Sequence, residues 1–345
     1  MRTFLLCVFT WTFSLLLAAC QNSDHNVDAV DTYPNLPFPT LGGRQLWADV
    51  NWYAGWRVQQ HVWAGHCRLL DPSNMRRAWG KRPAVEDALQ QERRQNELRL
   101  SSDHLVVLLH GLGRSRSSMG ELQQQLRAAG YEVMDVGYPS TRRSIAEHAA
   151  QLNSLLDQIA ASEEVQTVSF VTHSLGGMMA RAALAVGQPN PGNDAIDTDT
   201  AAADSIDTDA PQWRKSLQVH RLVMLAPPSS GSALAQSLKN FLPFQWFAGD
   251  SGQQVTLDEA NLIPVPKCKF GIIAGHRKPG KGWNPLLEGE DDGVVRVEET
   301  RLSGAEDFWS VPSLHTFIME DPIVVAGVLQ FLQVGKFRAD SSSEN

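Results

Sequence analysis

The chain has 345 residues, 43% of them hydrophobic and 20% charged, which is enough apolar material for one large α/β domain or two small ones. Its net charge is −8 and no basic block interrupts it, which argues against a nucleic-acid partner.

The first nineteen residues stand apart from the fold. Met1-Arg2-Thr3 precedes an apolar stretch, Phe4 to Leu17, too short to span a bilayer comfortably. Leu17-Ala18-Ala19-Cys20 then places small residues before a cysteine. This segment resembles the lipobox of bacterial lipoproteins. The resemblance implies cleavage before Cys20 and lipid attached to it, hence an envelope protein held to a membrane by its N-terminus. A plain secretory signal is the alternative. Gln21, which follows the cysteine, suggests sorting to the outer membrane. Residues 20–44 are polar and then proline-rich, the composition of a tether. Removal of the signal and use of Cys20 leave Cys67 and Cys268, which either pair as a disulfide or stay as two separate thiols.

The main domain is expected over 45–337. It opens on a tryptophan cluster, Trp47, Trp52, Trp56, Trp63 and Trp79. This reads as edge strands or a hairpin covering the sheet, the sharper alternative being a membrane-facing or substrate-facing patch. Ala84 to Arg99 is charged and helix-prone. Leu105 to Leu109 is a continuous apolar strand that runs into His110-Gly111-Leu112-Gly113, a turn whose glycines free backbone N–H groups to face a ligand. Leu112 N–H is the expected donor, with His110 holding the loop rather than carrying protons.

Helix, strand and helix are expected over Ser115–Ala129, Tyr131–Tyr138 and Ser144–Ala161, the last with Ile145, Ala149, Leu152, Leu155, Leu156 and Ile159 on one face. Strand Val168–Val171 then stops at Ser174, and a helix-forming run begins at Leu175. A serine on such a turn is pushed up from the sheet in a strained backbone position. Gly176 lets the helix approach the strand, and Leu175 N–H points where an oxyanion would form. Thr172 occupies a position at which glycine is common in such turns.

Alternating β and α segments predict a mostly parallel sheet covered on both faces. Residues 188–211 break the alternation with two Ile-Asp-Thr-Asp copies, an acidic insertion lacking the glycine and glutamate of a calcium loop. Strands are expected at Leu222–Leu225, Phe270–Ala274 and Phe308–Val311, with a last helix at Ile323–Phe331. The apolar segment 233–250 is either a cap over a greasy pocket or a buried helix. A polar tail covers 338–345.

A serine nucleophile needs a histidine to take its proton and an acid to orient that histidine. On this topology both follow later strands, in the order Ser, Asp, His. His220 falls at the wrong end of its strand and His276 precedes the acids, so His315 is the base. In Glu290-Asp291-Asp292-Gly293, Asp292 beside the turn glycine is preferred to Asp291.

His-Gly-Leu-Gly at 110–113, Thr-His-Ser-Leu-Gly-Gly at 172–177, Asp-Gly-Val-Val at 292–295 and Leu-His-Thr at 314–316 resemble the α/β-hydrolase superfamily. More narrowly they are similar to bacterial triacylglycerol lipase and esterase relatives. The resemblance spans roughly Leu105 to Phe337. It implies a mostly parallel α/β-hydrolase sheet with helices on both faces, hydrolysis of a small-molecule or lipid ester, and no cofactor or metal in the site. Thioesterase, phospholipase or acyltransferase chemistry could use the same three residues, and a non-catalytic envelope binding protein is the rival outside enzymes.

Overall fold

The computed structural model describes residues 43–186, 211–238 and 260–338. The signal segment with Cys20, nearly all of the tether, the acidic insertion up to Ala210, the expected cap from residue 239 on and the tail after Arg338 lie outside the described residues.

Two sheets organise the chain. The first is a four-stranded antiparallel meander of β1 (Trp47–Tyr53), β2 (Trp56–His61), β3 (Cys67–Leu70) and β4 (Arg76–Gly80). The tryptophan-rich start therefore builds a sheet of its own rather than an edge of the central one. Helix α1 (Arg82–Gln95) covers it, burying Val85, Ala88 and Leu89 against Val58, Cys67 and Leu69. The charged face of α1 stays in water, as its composition predicts, while three apolar residues at helical spacing tie it down.

The second sheet carries the chemistry. Its order is β10-β9-β8-β7-β5-β6, and every neighbouring pair is parallel. The strands are β5 (His104–Leu109), β6 (Glu132–Val136), β7 (Thr167–His173), β8 (Gln218–Leu225), β9 (Lys269–Gly275) and β10 (Asp307–Val311). Leu105 through Leu109 are almost wholly buried, as a strand covered on both faces requires. On one face α3 (Ile145–Ala160) and α4 (Leu175–Ala185) pack together, and on the other α2 (Gly120–Ala128) meets α7 (Pro322–Val334). Helix α3 starts on a capping box in which Ser144 Oγ accepts from Glu147 N at 3.2 Å and the Glu147 carboxylate accepts from Ser144 N at 2.8 Å. All six residues expected on its inner face are buried. Between the last strands lie two short helices, α5 (Ala233–Leu238) and α6 (Val297–Thr300). Helix α5 is the described part of the expected cap.

The meander is fastened to the end of β6 by backbone. Asp49 N donates to Gly137 O at 2.9 Å, and Gly137 N donates to the buried Asp49 carboxylate at 2.6 Å. A Cβ on Gly137 would lie 3.1 Å from that carboxylate, so the close approach depends on glycine.

The two remaining cysteines are both free. The expected alternative of a Cys67–Cys268 disulfide is thus corrected. Cys67 is buried in the meander core with α1, whereas Cys268 packs on the apolar cluster of the parallel sheet.

Candidate active site

The carboxyl ends of the parallel strands share one edge, and the loops leaving that edge hold the predicted residues. Strand β7 ends at His173, and Ser174 adopts φ 53° and ψ −121°, in the positive-φ half of backbone space that a residue with a side chain rarely enters. Such a conformation costs about 1–3 kcal/mol and persists only where surroundings over-determine it. Here they do. Ser174 N donates to Leu225 O at the end of β8, at 2.9 Å, and helix α4 begins at the next residue.

Two glycines make the turn sterically feasible. A Cβ on Gly176 would stand 2.5 Å from the Leu109 carbonyl oxygen, so α4 presses directly onto β5. Gly177 accommodates Thr172, whose Oγ1 would lie 3.3 Å from a Cβ there and donates instead to Val223 O at 3.2 Å. The bulk at Thr172 is absorbed by the glycine that follows the usual one.

Leu175 is the first residue of α4, so its N–H has no partner within the helix. The loop after β5 faces it. There Gly113, at φ 67°, donates its N–H to Ser140 Oγ at 3.0 Å, and Arg114 N donates to Gly111 O at 3.2 Å. Leu112 N–H, between them, donates to no described residue. Gly111 must be glycine, because a Cβ would sit 2.8 Å from His173 Nδ1 and 3.2 Å from Ser174 Cβ.

His110 is fully enclosed. Its Nδ1–H donates to Gly111 O at 2.9 Å, its ring stacks on Tyr138 at 4.1 Å, and the Tyr138 hydroxyl donates to its carbonyl. Burial pushes its pKa down to about 4, so it is neutral at ordinary pH and holds the loop.

Asp292 and His315 meet on the loops after β9 and β10. His315 Nδ1–H donates to Asp292 Oδ2 at 2.7 Å, and both side chains are buried. The other carboxylate oxygen, Oδ1, accepts from Val294 N at 3.0 Å and Val295 N at 2.8 Å, while His315 N donates to Asp292 O at 2.9 Å. Four bonds thus join these two residues to each other and to the turn. Gly293, at φ 100°, provides the reversal between them.

Asp291 serves the same loop differently. Its Oδ1 accepts from Trp283 N, Asn284 N and Gly293 N at 3.0, 2.9 and 2.7 Å, and it makes no contact with His315. His220 lies within β8 near its amino end, rather than before the strand, and donates to Leu332 O. His276 follows β9, where its N–H donates to Val311 O at 2.9 Å.

Three residues escaped the sequence reading. His173 is buried, and its Nε2–H donates to the backbone carbonyl of His315 at 3.0 Å. Burial, with the charges of His315 and Arg114 after it, drives its pKa well below the usual histidine value. Glu299, buried in α6, accepts from Ala233 N at 2.8 Å and fixes the start of α5. Arg181 of α4 sends its guanidinium to Ser229 O at 2.9 Å and to Ile263 O, bracing both flanks of the segment 239–259. An arginine inside an apolar helix was the available signal for that role. Nothing in the sequence marked Glu299.

The Ser174 hydroxyl makes no hydrogen bond to a described residue. No group of three or more His, Cys, Asp or Glu side chains suited to a metal occurs among the described residues.

Comparison with known proteins adds to this geometry. Residues 99–256 match the family described as "Putative serine esterase (DUF676)". That stretch includes the loop after β5 and the Ser174 turn. No curated protein matches the chain. Among solved structures, the mature form of Bacillus licheniformis lipase BlEst2 is similar, with a TM-score of 0.51 at 19% identity over 66% of this chain and 91% of that one. Its propeptide form gives a TM-score of 0.51 at 20% identity, over 72% of this chain and 53% of that one. At such identity the likeness concerns architecture, and it agrees with six parallel strands whose central serine turn feeds a buried helix. The chain has the α/β-hydrolase fold.

Proposed function

We propose that this chain is a serine hydrolase that cleaves carboxylic esters by two-step acyl transfer, with Ser174 as nucleophile, His315 as base and Asp292 as the orienting acid. The observation that carries the reading is the Asp292–His315 hydrogen bond, held beside the strained Ser174 turn by His173. With Nδ1–H committed to Asp292, the His315 Nε2 is left as the basic nitrogen. It takes the Ser174 proton as Oγ attacks the substrate carbonyl. The developing negative charge meets Leu112 N–H and Leu175 N–H, and loss of one such donor typically costs about 3–4 kcal/mol of barrier. His315 then protonates the leaving alcohol, and in the second half it activates the water that releases the acid. Asp292 holds the tautomer throughout. No step calls for a cofactor.

The match to a serine esterase family and the likeness to a lipase support an ester substrate. Thioester, phospholipid and acyl-transfer reactions would use the same atoms, and a panel of acyl esters and thioesters of graded length separates them. A fluorophosphonate probe tests the assignment directly. It should label the wild-type protein and leave Ser174→Ala unlabelled. Equal labelling of both removes Ser174 from the mechanism, and labelling of neither favours a binding protein.

The lipobox-like segment supports attachment of the chain to a bacterial membrane through Cys20. Metabolic labelling with a fatty acid should mark the wild type and not Cys20→Ser.

A further inference from the structure

The tryptophan-rich meander does more than pack. Its β2–β3 turn projects Trp63, which is 69% exposed although tryptophan ordinarily seeks cover. The turn is rigid. His61 Nδ1 accepts from Trp63 N and Ala64 N at 3.3 and 3.1 Å, and Gly65 N donates to His61 O at 3.0 Å. The His61 ring stacks on His66 at 5.2 Å, and His66 leans on Trp79 at 4.0 Å. A mobile loop would expose an aromatic incidentally, whereas this one is tied to the His61 ring, 6.2 Å from Trp63, and by backbone bonds, with His61 in turn set against His66 and Trp79.

Cations surround it. Arg142 stands over the Trp63 ring at 5.5 Å, Arg76 over Trp79 at 5.3 Å and Arg68 over Trp47 at 4.0 Å. None of these three arginines forms an ion pair among the described residues. Residues 43–80 carry five Arg against two Asp and no Glu, a charge of +3 within a chain of −8. The basic charge is thus concentrated on the element that also exposes the tryptophan.

The turn stands on the same edge as the candidate active site. Arg142 belongs to the loop leaving the carboxyl end of β6, and Ser140 in that loop accepts from Gly113 N beside Leu112. On the loops after β9 and β10, Leu286, Phe317, Trp283 and Val294 are also exposed, by 80%, 54%, 42% and 38%. Aromatic tips with flanking arginines suit the boundary between lipid headgroups and acyl chains, where the ring is half in apolar matter and the cation meets phosphate.

We propose that the β2–β3 turn and the arginines around it dock this protein on an anionic phospholipid surface, with the edge that bears Ser174 turned toward the bilayer. The docking surface is independent of the N-terminal anchor and of hydrolysis. An anchor would nevertheless act on the same side, because the chain reaches the described structure at Gly43–Leu46 and Val62 N donates to Leu46 O at 2.8 Å.

The test is vesicle flotation of the full chain carrying Cys20→Ser and Ser174→Ala, which removes anchor and turnover together. Phosphatidylcholine vesicles with about one-third phosphatidylglycerol are compared with pure phosphatidylcholine, so that the ratio cancels any contribution of the apolar N-terminal stretch. The expected ratio is tenfold or more at low salt, falling toward one at high salt. Trp63→Ala should lower binding to the anionic vesicles about tenfold, and Arg76→Gln with Arg142→Gln should lower it about fivefold for each cation removed. Trp63 and Arg142 are exposed, so these variants should keep the wild-type circular dichroism. Equal partition on the two lipids, or anionic binding that these substitutions leave unchanged, overturns the proposal. So does preferential binding to a single-stranded oligonucleotide that Trp63→Ala abolishes, which would assign the face to nucleic acid. Fluorophosphonate labelling of protein with intact Ser174 reads the catalytic assignment separately, so the two fail independently.

Discussion

The Nε2–H of His173 donates to the backbone carbonyl of His315 over 3.0 Å, across 142 residues of sequence. The residue before the proposed nucleophile therefore holds the main chain of the proposed base. His173→Leu leaves that carbonyl buried and unpaired, at a cost of about 1–3 kcal/mol. We expect kcat on a soluble ester to fall about 10- to 100-fold with KM little changed. His173→Gln, which retains an N–H donor, should recover part of the loss. Unchanged kcat in His173→Leu would show that the loops after β9 and β10 hold His315 unaided.

Asp291 and Asp292 are adjacent and both buried, yet they predict different phenotypes. Asp292→Asn presents an amide where His315 needs an acceptor fixing its tautomer, and kcat should drop by about 10⁴. Asp291→Asn weakens the acceptor for three backbone N–H groups. Its main effect should be a lower Tm, with a much smaller loss of rate. Steady-state kinetics and thermal unfolding of the two variants check the division of labour, and a reversed pattern would reassign the acid.

Gly176→Ala puts a methyl group 2.5 Å from a backbone oxygen of the central strand. Neither partner is the free end of a side chain, so α4 must shift. A destabilisation of about 1–3 kcal/mol is expected, with loss of fluorophosphonate labelling even in the folded fraction. Urea unfolding and labelling of the same preparation read both effects.

Acid should weaken the fold before it titrates most carboxylates. Burial lowers the pKa of His110 to about 4 and that of His148 to about 3, and it takes His173 well below its ordinary value. The unfolded chain binds protons at these positions below about pH 6.5, while the folded chain resists until pH 3–4. Stability is therefore full above pH 6.5 and declines as pH falls from there toward 4. Each such histidine contributes a slope of up to about 1.4 kcal/mol per pH unit. Neither ring nitrogen of His148 has a hydrogen-bond partner among the described residues. His148→Leu should flatten the pH dependence of urea unfolding and raise stability at pH 5, and an unchanged slope would mean that this ring is charged in the fold.

Periodicity and turn chemistry made the parallel sheet legible because its central strands carry buried apolar runs that stop at turn-forming residues. Ser174, Gly176, Asp292 and His315 could be singled out as candidates because their types and order fit one kind of chemistry and one strand topology. The meander was harder. Its strands are short and rich in polar residues such as Gln59, Gln60 and Arg68, so the tryptophans suggested cover for a sheet and not a second sheet. Long-range polar partners were not legible at all. His173, Arg181 and Glu299 act through carbonyls and N–H groups 48 to 142 residues away, and no local pattern encodes such a meeting.

Gln45, in the first turn of the described chain, donates to the carbonyl of Arg114, and Arg114 in turn reaches the carbonyl of Thr316, next to His315. Segments 69 and 202 positions away along the chain are thereby joined through a single guanidinium-bearing residue. Two hydrogen bonds thus link the first described turn of the chain to the residue beside the imidazole, so the start of the domain and the loop that carries His315 share one brace.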